Sequence, residues 1–211
     1  MKFPVNIDCY MIVIKNNEKS EYYANYCIKS WESYGIKVNR FDAIVPKDLI
    51  DLTELKWNDY VNRINYEKQN LKVKMTDTEK SCFSSHYMLW KKCVEMDKPI
   101  LILEHDCYLE IPENLWFNSK YGTIFYDKAA SGSYVMFPWF AKVVVNFIKG
   151  IKIDRGLYAL LYVIAYLTDN LEKHVCDSHP KYKAASNQVM SKVYGNTIEH
   201  FSDPVHDFKM I

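Results

Sequence analysis

A short run of apolar residues, Ile100 to Leu103, constrains the fold more than any other segment of the chain. The run does not alternate with polar residues, which is typical of a parallel strand covered by helices on both faces. In open α/β sheets, ligands bind beyond the carboxyl ends of the strands, and Glu104 and Asp106 follow this run directly. Carboxylates two residues apart can bind a divalent cation and leave other positions for a diphosphate. The sequence therefore predicts an α/β sheet with an acidic site at its edge, and a solvated acidic turn is the alternative.

The amino-terminal part of the chain predicts a strand, a helix and a second strand. The strand covers residues 9–14, the helix covers residues 20–34 and ends at Gly35, and the second strand covers residues 37–44. This order of elements builds doubly wound sheets. Residues 46–73 are polar with weak helical spacing, and we expect them to form a mobile connection with short helices.

A long helix is predicted from Asp77 to about Met96. Residues 76–79 have the Ser/Thr-x-x-Glu form of a capping box. One face of this helix carries residues at helical spacing, namely Cys82, His86, Leu89, Trp90 and Cys93. After Asp106 the pattern predicts an irregular segment to residue 130, a strand at 133–137, and helices at 139–149, 155–169 and 184–194.

Length and composition are those of a globular protein. The chain has 211 residues, of which 49% are hydrophobic and 25% charged, and we expect one domain, residues 1–211, with residues 174–211 as a carboxyl-terminal lid or tail. The formal net charge of +1 provides no global attraction to nucleic acid or anionic membranes.

The cysteines show no CxxC spacing, and Asn6 and Asp8 interrupt any apolar leader, so we expect reduced thiols in a cytoplasmic protein. The longest uncharged stretch, residues 156–168, is shorter than the ~20 residues that span a bilayer, so no spanning helix is expected.

Three ordered segments resemble glycosyltransferase family 25, the lipopolysaccharide-type and collagen-type sugar transferases. The first is the opening strand with its polar loop and residues 38–44, which resemble that family's opening strand, helix and strand. The second, residues 79–90, is similar to the family's Gly-Glu-x-Gly-Cys-x-x-Ser-His-x-x-x-Trp helix. The third, residues 101–106, is similar to its Leu-Glu-Asp-Asp metal motif, and residues 132–136 add a weaker fourth match. Ordered agreement over several blocks is more specific than any one short motif.

The resemblance implies an α/β fold of the GT-A, Rossmann-like kind, with a mixed, mainly parallel sheet flanked by helices. It also implies a hexosyl- or pentosyltransferase that moves a sugar, with inversion, from a nucleotide-sugar donor to the hydroxyl of a saccharide acceptor. Mn²⁺ or Mg²⁺ would hold the donor diphosphate, and the acceptor would belong to lipopolysaccharide biosynthesis. The sequence departs from the family pattern at Lys80 and Ser81, where glycine commonly occurs, and at His105, which replaces the middle acidic residue and makes the site less negative.

The candidate site residues follow from the motifs and from this resemblance. Asp106, Glu104 and His206 are the candidate metal ligands, and the candidate catalytic residues are Asp154, as the base that accepts the proton of the acceptor hydroxyl, and Glu104. The candidates for binding donor or acceptor are Asn16, Asp42, Glu79, Ser85, His86 and His105. Each of these has a structural alternative, such as a turn former, a helix cap or a core histidine.

Two other functions remain open on the sequence alone. A compact transferase can also glycosylate hydroxymethylated bases in phage DNA, which a continuous basic groove beside Asp106 would favour. The changed middle residue, His105, instead favours a non-catalytic nucleotide-sugar or carbohydrate-binding protein. Tyr158, Tyr162 and Tyr166 recur every four residues, which predicts a core face or a homo-oligomer contact, with a stacking platform for rings as the alternative.

Overall fold

The computed structural model describes residues 7–64, 70–109, 123–125, 132–153 and 198–200. Its elements are, in chain order, β1 (Asp8–Val13), α1 (Glu18–Ser33), β2 (Val38–Asp42), a 3₁₀ helix (Pro46–Asp51), β3 (Lys56–Trp57), β4 (Val61–Ile64), β5 (Asn70–Val73), α2 (Asp77–Met96), β6 (Ile100–Glu104), β7 (Cys107–Leu109), β8 (Thr123–Phe125), β9 (Ser133–Met136), α3 (Pro138–Lys149), β10 (Lys152–Ile153) and β11 (Ile198–His200). Within these ranges, no helix has the length and apolar character needed to cross a membrane.

Five strands form the central sheet in the order β2-β1-β6-β9-β8. β1 pairs in parallel with β2 and with β6, whereas β9 is antiparallel to both β6 and β8. Four strands of this described sheet therefore run in one direction, and β9 runs in the other. The predicted α/β class, with a mixed and mainly parallel sheet flanked by helices, is confirmed.

The side chains of β6 alternate between two helical layers. Ile100 and Ile102 belong to the core with α2 and α3, whereas Leu101 and Leu103 belong to the core with α1. All four side chains are fully buried, which explains why this strand carries no polar residue before its last position. The same alternation turns the side chain of Glu104 towards α2.

Local signals fix the ends of the predicted helices. The side chain of Asn17 accepts a hydrogen bond from the N–H of Ser20 at 2.9 Å and caps α1. Gly35 follows the end of α1 with a φ of 78°, a left-handed conformation that glycine adopts without strain. Thr76 and Glu79 form the predicted capping box of α2, so the prediction of this helix is confirmed at both ends.

Two predicted irregular segments contain strands instead. Residues 46–73 hold one short 3₁₀ helix, in line with the expected short helices, but they also hold three strands that were not predicted: β3 pairs with β10, and β4 and β5 form an antiparallel hairpin. The segment after Asp106 likewise contains β7 and β8. These strands of two to four residues are too short for periodicity to identify them. The helices predicted at 155–169 and 184–194, together with the tyrosine stripe, lie outside the described residues.

Candidate active site at the carboxyl edge of the sheet

The carboxyl ends of β1, β2 and β6 lie side by side at one edge of the sheet. Ile12 is the register partner of both Phe41 and Glu104, so the loop after β1, the end of β2 and the Glu104 carboxylate reach this edge together. The N–H of Glu104 donates to the carbonyl oxygen of Gly132 at 2.7 Å, which extends the contact between β6 and the β9 side to the last residue of β6. This edge is where α/β proteins commonly bind their ligands.

Glu104 faces two side chains of α2. Cys82 and His86 are four residues apart and therefore lie on one face of the helix. The Cys82 sulfur, a ring nitrogen of His86 and a carboxylate oxygen of Glu104 all lie within 4.8 Å of one another. The side chain of His86 is fully buried and that of Glu104 is 29% exposed, whereas Cys82 is exposed. The imidazole of His86 is therefore buried, whereas the residues Cys82 and Glu104 both reach the surface.

Buried aromatic side chains hold the imidazole of His86. Nδ1 of His86 lies 2.8 Å from the hydroxyl oxygen of Tyr134, which also accepts a hydrogen bond from the indole N–H of Trp90 at 3.0 Å. The rings of His86 and Tyr134 stack with an interplanar angle of 18°. At the other side of the ring, Nε2 lies 3.5 Å from Oε1 of Glu104 and has no hydrogen-bond partner among the described residues. The ring is therefore fixed at Nδ1, with Nε2 directed at the Glu104 carboxylate.

Burial and negative charge keep the hydroxyl and the thiol of this site in their neutral forms. Loss of water around the Cys82 thiol, followed by the charges of Glu104 and Glu79, raises the pKa of that thiol to about 12. Burial likewise raises the pKa of the Tyr134 hydroxyl well above its usual value. Both groups therefore carry their protons at neutral pH.

The Tyr134 hydroxyl should contribute measurably to stability. Tyr134→Phe leaves the buried indole N–H of Trp90 without its acceptor, and we expect a loss of about 1–3 kcal/mol in the free energy of unfolding. Urea denaturation measures this loss. Tyr22→Phe is the matched control, because Tyr22 is 61% exposed and its change should stay within about 0.5 kcal/mol. Equal losses in the two variants would contradict a buried bond to the indole.

Two further candidates lie at the same edge of the sheet. Asp42, the last residue of β2, forms an ion pair with Lys15 at 3.3 Å, and both side chains are largely exposed. Such an exposed pair is weak, so Asp42 stays available to a ligand. Asn16 lies in the loop after β1 with a φ of 60°, a conformation that asparagine tolerates. The helix cap comes from its neighbour Asn17.

Three other candidates have contacts that organise the fold. The side chain of Glu79 closes the capping box on the Thr76 N–H at 2.8 Å. The buried hydroxyl of Ser85 accepts from the N–H of Ile44 at 2.9 Å and so ties α2 to the segment after β2. His105 stacks on Tyr23 of α1, with ring centroids 6.3 Å apart, on the other side of the sheet from α2. The structure therefore does not bring His105 into the cluster of Cys82, His86 and Glu104.

The remaining candidates divide between the turn after β6 and parts of the chain outside the described residues. Asp106 lies in this turn, with its Oδ1 3.9 Å from the Cys107 sulfur. Asp154 and His206 lie outside the described residues. Cys82 and Tyr134 were not predicted as site residues. The spacing of four residues between Cys82 and His86 on one helix was a signal for Cys82, whereas the place of Tyr134 depends on the pairing of β9 with β6.

Comparisons with known proteins identify a family for the part of the chain that contains this site. Residues 7–134 match glycosyltransferase family 25 (LPS biosynthesis protein), a range that contains Cys82, His86, Glu104 and Tyr134. The chain is 39% identical over 83 residues to the lipooligosaccharide biosynthesis protein lic2B of Haemophilus influenzae. That alignment covers 38% of this chain and 27% of the relative, so this chain matches about a quarter of the relative's length.

Among solved structures, a glycosyltransferase involved in the glycosylation of the major capsid of PBCV-1 is similar over 89% of this chain and 81% of its own. Its sequence identity is 10% and its TM-score is 0.44. The family match, by contrast, covers more than half of the present sequence. This protein therefore belongs to glycosyltransferase family 25.

Proposed function

We propose that this protein transfers a sugar from a nucleotide-sugar donor to a hydroxyl group of a saccharide acceptor. The observation that carries the proposal is the position of Glu104 at the carboxyl end of the central strand, inside the segment that matches the family. Ligands of open α/β sheets bind at this edge. The name of the Haemophilus influenzae relative supports a lipooligosaccharide intermediate as the acceptor class.

The chain's own residues have distinct roles in this proposal. Glu104 presents a partly exposed carboxylate, whose Oε1 lies 3.5 Å from Nε2 of the buried His86. Asp42 is the last residue of β2, which pairs with β1. Its exposed carboxylate can accept hydrogen bonds from a ribose or base. In a single displacement with inversion, a base removes the proton of the acceptor hydroxyl as the bond between sugar and diphosphate breaks. Asp154 and Glu104 are the proposed candidates for that base.

A divalent cation is part of this proposal. Mn²⁺ and Mg²⁺ prefer oxygen ligands, and the carboxylates of Glu104 and Asp106 are the oxygen donors next to the end of β6. Such an ion would neutralise charge on the departing diphosphate. The side chains next to Glu104 on α2, however, offer nitrogen and sulfur. Asp106 is therefore the residue on which a site for Mn²⁺ or Mg²⁺ most depends.

A screen of nucleotide sugars tests the proposed function. The purified protein is incubated with each donor in the presence of Mn²⁺, Mg²⁺ or EDTA, and release of the nucleoside diphosphate is measured. We expect one donor class to be hydrolysed slowly, and to be consumed faster when a lipooligosaccharide acceptor is added. Nucleotide-sugar binding without hydrolysis or transfer under any of these conditions would contradict an enzyme and favour a binding protein. Faster consumption with hydroxymethylated DNA than with the saccharide would contradict the proposed acceptor.

A further inference from the structure

We infer that Cys82, His86 and Glu104 form a binding site for a divalent cation of the zinc class. The proposed ligands are the Cys82 sulfur, Nε2 of His86 and a carboxylate oxygen of Glu104. The sulfur, a ring nitrogen of His86 and the carboxylate oxygen lie within 4.8 Å of one another, and Nε2 is 3.5 Å from Oε1 of Glu104. This site differs in its donors from a Mn²⁺ or Mg²⁺ site built on carboxylates, and it does not depend on whether the protein transfers sugars.

The unpartnered ring nitrogen of His86 is an independent sign of a ligand. Polar side-chain atoms that are buried nearly always have a hydrogen-bond partner, yet Nε2 of the fully buried His86 has none among the described residues. This nitrogen is directed at Glu104, whose Oε1 lies 3.5 Å away. A metal ion between these atoms would supply the missing interaction to Nε2 and balance the carboxylate charge.

The geometry is close to what a tetrahedral ion requires. Ligand bonds of roughly 2.0–2.3 Å in a tetrahedral zinc site place the ligand atoms about 3.3–3.8 Å apart. The separation of 3.5 Å between Nε2 of His86 and Oε1 of Glu104 already falls in this range. Since the other separations are at most 4.8 Å, they need a movement of at most about 1 Å, and the exposed side chain of Cys82 can supply it by rotating about χ1.

The chemical nature of the three donors selects the ion. Imidazole and thiolate ligands favour zinc and similar transition metals, whereas Mg²⁺ takes carboxylate, carbonyl and water oxygens. Three protein ligands leave one position of a tetrahedron for water or another exchangeable ligand, as in catalytic rather than structural zinc sites. Because Cys82 is exposed and Glu104 is partly exposed, solvent can reach the site to fill this fourth position.

The surroundings of His86 match those of a metal ligand. Histidine ligands usually donate a hydrogen bond from the ring nitrogen that does not bind the metal, which fixes the tautomer. In this protein, Nδ1 lies 2.8 Å from the Tyr134 hydroxyl, which is itself held by the indole of Trp90. With Nδ1–H donating to Tyr134, the lone pair of Nε2 is directed towards the cluster. Binding of the ion displaces the thiol proton of Cys82 to solvent.

Cobalt titration of the metal-stripped protein tests this site directly. Co²⁺ is added to the purified full chain and the absorption spectrum is recorded. We expect one equivalent to bind with the intense visible bands of a tetrahedral ion and a near-ultraviolet charge-transfer band from thiolate to cobalt. Added Zn²⁺ should remove both signals by displacement, whereas added Mg²⁺ should not.

Cys82→Ala and Cys27→Ala form the matched pair of variants. Cys27 belongs to the core on the α1 side of the sheet, so its variant should keep the charge-transfer band, whereas Cys82→Ala should lose it. Loss of Cys82 should weaken zinc binding by more than the roughly 10- to 100-fold that removal of an outer-shell partner costs. Since Cys82 is exposed, circular dichroism should show an unchanged fold in this variant.

Three results would overturn the inference. They are no cobalt binding by the unmodified protein, a charge-transfer band that persists in Cys82→Ala, and displacement of cobalt by Mg²⁺ as readily as by Zn²⁺. Sugar transfer measured on the same samples separates the two proposals, because a protein that transfers sugar without binding cobalt would keep its proposed function and lose this site.

Discussion

Glu104→Gln should lower the rate of sugar transfer by roughly 100- to 1,000-fold, the loss typical of removing one preorganised electrostatic contact to a reacting centre. The substitution keeps the size of the side chain and removes its negative charge. That charge lies at the carboxyl end of the central strand, and Nε2 of His86 lies 3.5 Å from it. The measurement is the initial rate of transfer with the donor identified by the nucleotide-sugar screen.

Glu95→Gln is the matched control for this variant. Glu95 is exposed near the end of α2, so the same chemical change should leave the rate within twofold, about 0.4 kcal/mol in activation free energy. Thermal unfolding of both variants should follow that of the unmodified protein, since neither change opens a cavity. If Glu104→Gln retained full activity with an unchanged fold, Glu104 would have no role in the reaction.

Trp31→Ala should destabilise the protein by about 3–5 kcal/mol, as expected when a large aromatic side chain is removed from a core. Trp31 is fully buried on α1, and its indole N–H donates to the carbonyl oxygen of Cys107 at 2.9 Å. The variant thus loses packing and leaves a buried carbonyl without this donor. Because a domain of this size is stable by only about 5–15 kcal/mol, a large share of its stability depends on this residue. Urea denaturation followed by circular dichroism measures the loss.

Two further variants separate the contributions of core packing and of the indole hydrogen bond to the loss in Trp31→Ala. Trp139→Ala removes the same side chain from an exposed position on α3, where Trp139 is 38% exposed, so its loss should be well below that of Trp31→Ala. Trp31→Phe keeps most of the ring volume and removes the N–H donor, so its loss should fall between zero and that of the alanine variant. Equal losses for the two alanine variants would show that α1 is not packed as described.

Local sequence signals predicted the helices and strands that depend mainly on neighbouring residues. The capping box of Thr76 and Glu79 gave the start of α2, because both partners are three residues apart in one helical turn. The unalternated run before Glu104 likewise predicted a strand buried on both faces, and the structure confirms it. In each case, the information that determines the element lies within a few neighbouring residues.

Long-range pairing decided the features that the sequence did not predict. The residue types of Ser133–Met136 suit a parallel and an antiparallel strand equally well. The antiparallel direction of β9 could therefore not be predicted from this segment. That direction places Tyr134 beside Ile102 and brings its hydroxyl to His86. The side chains around His86, those of Tyr134 and Glu104, therefore come from other elements, and the sequence alone did not place them beside it.

The pairing of β7 with β11 determines when the strand beside the Asp106 turn can pair during protein synthesis. β7 directly follows the turn that contains Asp106, and its antiparallel partner is residues 198–200. The parallel core of β1, β2 and β6 leaves the ribosome much earlier, because synthesis proceeds from the amino terminus. Until the partner strand is made, β7 lacks the strand pairing that β11 provides. The strand pair beside the candidate active site therefore forms only after residues 110–197 have been synthesised.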